Sequence, residues 1–148
     1  MIGYVGRAAG RGAFYLGALS LLAGLLMSFN WSFVGQSGDM GGFVMLLVMF
    51  VPAMAIGGAL AGLALFAVAG VLVRASGVSP AGAIPVYAIL GGLLSLLILL
   101  PFTSWVAGGI GPALAGAKGS YLALVPGLGS AIIAGALVGS AMSRYSRA

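Results

Sequence analysis

The chain has 148 residues, 62% hydrophobic and 5% charged, against roughly 45–50% and about 25% in a soluble domain; so few charges cannot clothe a water-soluble surface, and lipid must be the main solvent. With no cysteine, no histidine and a single acidic residue, Asp39, it offers no ligand set for zinc, haem or iron–sulfur clusters, no carboxylate pair and no histidine relay, so no catalytic, cofactor or metal site is read and no enzyme is expected. The net charge of +5 is dispersed around apolar runs, which points to anionic lipid headgroups as partners and away from nucleic acid.

The charges leave uncharged runs at 12–38, 40–73, 75–117 and 119–143, and each exceeds the about 20 helical residues needed to cross a ~30 Å hydrocarbon core. The expected fold is all-α, an integral membrane bundle of four transmembrane helices. Residues 1–148 form a single domain, with spans at about 12–34, 43–73, 83–107 and 121–142. A barrel is excluded by stretches such as Phe43-Val44-Met45-Leu46-Leu47-Val48-Met49-Phe50, apolar without alternation.

Arg7 and Arg11 precede the first span and imitate the basic start of a secretory leader. The apolar stretch then continues to Val34 without a small-x-small cleavage site before a polar start, so the segment reads as a retained anchor. Ser20, Gly24, Ser28 and Ser32 recur every four residues along it, and Phe29, Asn30 and Trp31 mark its outer end. The second span would be ~46 Å long, well beyond the core, and Pro52 predicts a kink in its outer third. Gly58 and Gly62, with Ala53, Gly57 and Ala61 alongside, offer small faces for close helix packing. Arg74 follows, and Ser79-Pro80 forms the turn into the third span.

The third span carries Ser95, Pro101, Thr103, Ser104 and, at its outer end, Trp105. Ser28, Asn30, Ser32, Thr103 and Ser104 form either a polar path toward the outer side or a set of hydroxyls and amides bonded to backbone and neighbouring helices. The Gly-rich stretch 108–117 reads as a connector or as a segment dipping back into the outer interface, and Lys118 lies in the loop that corresponds to that of Asp39. The fourth span places Gly127, Ala131, Gly135, Gly139 and Ser143 on one stripe, a helix-packing face for this bundle or for another subunit. Arg144 and Arg147 follow it.

Two segments repeat. Val51-Pro52 and Gly58-Ala59-Leu60-Ala61-Gly62 match Val125-Pro126 and Gly135-Ala136-Leu137-Val138-Gly139, as two duplicated helical hairpins would; a chain with 27 glycines also produces such matches by composition alone. Five of the six cations, Arg7, Arg11, Arg74, Arg144 and Arg147, fall on the side of the termini. They set topology and meet lipid headgroups, which puts both termini in the cytoplasm and suits a bacterial inner membrane. No carboxylate or histidine lies at mid-membrane, as a proton-driven exporter would need. The expectation is a structural or accessory subunit of a membrane assembly, partnered by other membrane subunits or itself; the alternative is a homo-oligomeric channel or facilitator for a small neutral solute or ion.

Overall fold

A computed structural model describes residues 2–30, 32, 40–79 and 82–145. Four helical segments, Ile2–Phe29, Met40–Ser76, Ala83–Ala107 and Ala117–Tyr145, are long and apolar enough to cross a membrane, and they pack as an all-α bundle. The protein is an integral membrane protein. The first span is helix α1, Ile2–Phe29. The second is built from α2, Met40–Met45, a π-helical turn at Leu46–Phe50, and α3, Val51–Ser76. Helix α4 is Ala83–Ala107, the short α5 is Ile110–Leu114, a 3-10 turn follows at Ala117–Gly119, and α6 is Tyr121–Tyr145.

The third span has the expected bounds, whereas the first corrects them. Helix α1 starts at Ile2, about ten residues ahead of residue 12, so Arg7 and Arg11 lie on the helix and not before it. The reason is packing: Ala8 is fully buried, and a Cβ placed on Gly70 would lie 3.2 Å from that of Ala8. Charge ends the apolar run of a membrane span, but a helix continues wherever its next turn still finds a neighbour. The regular α-helix also stops at Phe29, with Asn30 and Ser32 in π-type geometry; the expected end at Val34 lies outside the described residues, as do Trp31, Asp39 and Arg147.

The second span runs 37 residues, ~55 Å of helix. Where the kink is expected, the helix opens into the π-turn immediately before Val51, with Pro52 in the first turn of α3. Proline lacks an amide hydrogen and its ring crowds the carbonyl four residues back, here Val48, so the wider turn absorbs the conflict. Pro101 and Pro126 sit inside continuous helices. Gly77 closes α3 at φ +66° and Gly108 closes α4 at φ +87°, left-handed conformations that a side chain would oppose. The amides of Gly108 and Gly109 both donate to the Ser104 carbonyl, at 2.9 and 2.8 Å.

Packing is most extensive between α1 and α3 and next between α4 and α6; α1 with α6 and α3 with α4 join these two pairs into a closed ring. The apolar core lies toward the end that carries the termini: Ala8, Leu16, Leu65, Phe66, Ala69, Val73, Ala83, Tyr87, Ala134, Val138 and Met142. Phe66 is its centre, fully buried, with its ring centroid 6.4 Å from that of Tyr87. The ring needs glycine on two sides, because a Cβ on Gly12 would collide with it and one on Gly91 would sit 3.2 Å from its Cζ. At the other end the buried set mixes hydroxyl-bearing Ser28, Ser32, Thr103 and Ser120 with Val51, Ala107 and Ala113. There α5 is folded back rather than left as a loose connector: Ala113 is buried, and Ser120 Oγ donates to its carbonyl at 2.5 Å.

Candidate functional site

Most of the small residues singled out in the sequence lie against helices of the same chain. A Cβ on Gly58 would collide with Ser20, and one on Gly62 with the Gly12 carbonyl. On α6, Gly127 faces Leu99, Gly135 faces the Tyr87 carbonyl, and Gly139 would bring a Cβ to 2.6 Å from the Ile84 Cα. Ala131 is buried, and its carbonyl lies against Gly91. These faces are occupied by α1 and α4. On α3, by contrast, Ala53 and Gly57 point outward, with nothing within 4 Å of a Cβ built on Gly57.

The polar residues do not behave as one group. Thr103 Oγ1 donates to the Leu99 carbonyl at 2.7 Å and to that of Leu100 at 3.2 Å, Ser104 Oγ to that of Pro101 at 2.9 Å, and Ser95 Oγ to that of Gly92 at 2.8 Å. All three hydroxyls are turned back onto α4 itself. Ser28 and Ser32 are 1% and 2% exposed, and their hydroxyls have no hydrogen-bond partner among the described residues. Asn30 is exposed.

The strongest constellation of chemistry lies between α1 and α6, at the end of the termini. Arg11 and Tyr15, one turn apart on α1, face Leu137, Ser140, Ala141, Arg144 and Tyr145 of α6 across a cavity of about 510 Å³. One turn earlier on α1, Arg7 stacks its guanidinium carbon 4.1 Å from the Tyr145 ring centroid, a cation–π contact that fixes this aromatic wall. Arg11 Nη1 is buried with no hydrogen-bond partner among the described residues. Arg74 lies apart from the cavity, 6.0 Å from the Tyr4 ring. Tyr4 accepts a hydrogen bond from the Tyr87 hydroxyl at 3.2 Å. Tyr87 therefore does not sit at the lipid interface, where its place near a span end suggests it; the aromatic ring fills the core.

Compared with known proteins, the chain matches no family, no curated protein and no solved structure. The α1–α6 cavity is also the feature that sequence reasoning missed. Starting the helix at residue 12 removed Arg7 and Arg11 from it, although the spacing Arg7, Arg11, Tyr15 is itself a one-face helical pattern. Their partner, the stripe of Ser140 and Arg144, becomes visible only once α1 and α6 are known to be neighbours.

Proposed function

We propose that the protein is a structural, non-catalytic subunit of a membrane assembly. The observation that carries this reading is the contrast between the two sides of α3. Gly58 and Gly62 are used against α1, while Ala53, Gly57 and Ala64 face outward between the exposed side chains of Ile56, Leu60 and Leu63. Small outward residues give lipid little to pack against but let another helix approach closely. The hydroxyls of Ser95, Thr103 and Ser104 support the same reading, since they bond within α4 instead of lining a path. With Arg7, Arg11, Arg74 and Arg144 on one side, the positive-inside rule supports cytoplasmic termini in a bacterial-type inner membrane.

The test is native mass spectrometry of the tagged protein taken from its own host in mild detergent, alongside Gly57→Leu. The expected result is a stoichiometric foreign subunit retained by the unaltered chain and lost from Gly57→Leu, with the variant's own thermal unfolding unchanged. A clean homo-oligomer without partners would sink the accessory role. It would favour the second reading, a homo-oligomeric channel or facilitator, which rests on the buried hydroxyls of Ser28 and Ser32, without a partner among the described residues. Solute flux into liposomes, blocked by Asn30→Leu, would then be the deciding assay.

A further inference from the structure

The seam between α1 and α6 brings two guanidinium groups, Arg11 and Arg144, onto one cavity. The chain has no acidic side chain to pair with them there, because its one acidic residue, Asp39, belongs to the connection between the first two spans. Arg11 Nη1 is nevertheless buried and without an acceptor among the described residues. A charged donor held away from water calls for an acceptor, preferably an ionised one. Two like charges on one cavity call for the same thing, an anion between them.

We infer that this seam is a discrete binding site for a phosphate-bearing anion. Arginine's planar fork matches phosphate oxygens two at a time. The hydroxyl-bearing side chains of Ser140, Tyr15 and Tyr145 line the same cavity and add neutral donors. Arg7, stacked on Tyr145, holds that wall in place and adds positive charge beside it. The lining is also graded along the helices. Arg144 and Tyr145 stand at the terminal end, whereas Leu137 lies about two turns deeper on α6. A phosphate with an apolar tail, as in a phospholipid, fits that gradient; a free phosphate uses the cationic end alone. The site is a property of this chain and does not depend on the assembly role proposed above.

The test uses the full chain in mild detergent. It is titrated separately with phosphatidylglycerol and with inorganic phosphate, and bound stoichiometry is read by native mass spectrometry. One saturable anion per chain is expected. Arg11→Gln and Arg144→Gln should each weaken it about ten- to a hundredfold, as the loss of a charge-assisted hydrogen bond would. Arg74→Gln, the same change of charge outside the cavity, should change it less than about twofold. Saturable lipid binding that phosphate does not compete identifies a headgroup site, and saturable phosphate binding identifies a soluble anion; both uphold the inference. Two results overturn it: no saturable binding of either probe, or equal weakening by Arg74→Gln, which would mean diffuse attraction to surface charge. Should Arg11→Gln fail to fold, the exposed Arg144 decides through Arg144→Gln alone.

Discussion

In the first hairpin both helices give way: Gly17, Ser20 and Gly24 of α1 meet Ala59, Gly58 and Met54 of α3, and Gly62 lies on the Gly12 backbone. In the second, the glycines of α6 receive the main chain of α4 at Ala83, Ile84, Tyr87 and Ala88, but farther along Gly127 meets the Leu99 side chain and Gly92 meets that of Ile132. The repeated glycines thus occupy the same place in both pairs, on the second helix and against the first. What differs is the partner along each seam: main chain at Gly62, Gly135 and Gly139, and side chains at Gly58, Gly92 and Gly127. In lipid, where apolar burial drives helix association weakly, backbone-to-backbone approach is the main source of packing energy, and it is also the contact with least room to adjust.

That contrast can be broken. Gly62→Leu puts a branched side chain against a carbonyl that cannot move, and should cost about 3 kcal/mol, the upper end of overpacking. Gly127→Leu meets the ends of Leu99, which can change rotamer, and should cost about 1 kcal/mol. Unfolding in mixed micelles followed by circular dichroism measures both. Closure of the first hairpin is read independently by oxidising Gly17→Cys with Ala59→Cys, because the two Cβ atoms would stand 3.1 Å apart and the chain has no cysteine to interfere. Equal costs for the two leucines would mean that main-chain and side-chain partners do not differ in this way.

The join between the hairpins should respond less than the first hairpin does. Phe66→Ala leaves a cavity beside Tyr87, Gly12 and Gly91, and the cavity penalty alone predicts a loss of about 2 kcal/mol. In the same micelle assay Gly12→Ala with Phe66→Ala should recover part of it, because the added methyl enters the space the ring vacates. Smallest are the hydroxyls. Ser95→Ala removes a bonded group and should cost about 0.6 kcal/mol, whereas Ser28→Ala removes a buried one without a partner among the described residues and should be neutral or stabilising by about as much. A clear loss of stability in Ser28→Ala would reveal a partner for that hydroxyl.

Fold class and spans were legible because the cue is coarse: uninterrupted apolar length answers to membrane thickness, and α4 carries its expected bounds for that reason. The start of α1 was not legible, since the apolar run ends at Arg11 while the packing of Ala8 against Gly70 carries the helix on. Small-residue stripes marked which faces approach closely, but not which partner they approach. Helix α4 is apolar on every side, so periodicity gave it no inward face; Gly91 and Gly92 do mark it, by what their missing side chains admit. The cationic cavity needed two facts that no single segment contains, that α1 extends past Arg11 and that α6 is its neighbour.

The ring of helices closes where α6 lies along α1, with Arg7 over Tyr145. Of these four spans synthesis makes α1 before α6, so this seam, like the packing of α6 on α4, forms only after the other three are in place. Until then the side of α1 bearing Arg11 has no fourth helix against it. The contact between Arg7 and Tyr145 therefore records the arrival of α6, and a chain stalled before α6 would retain the first hairpin while lacking this clasp.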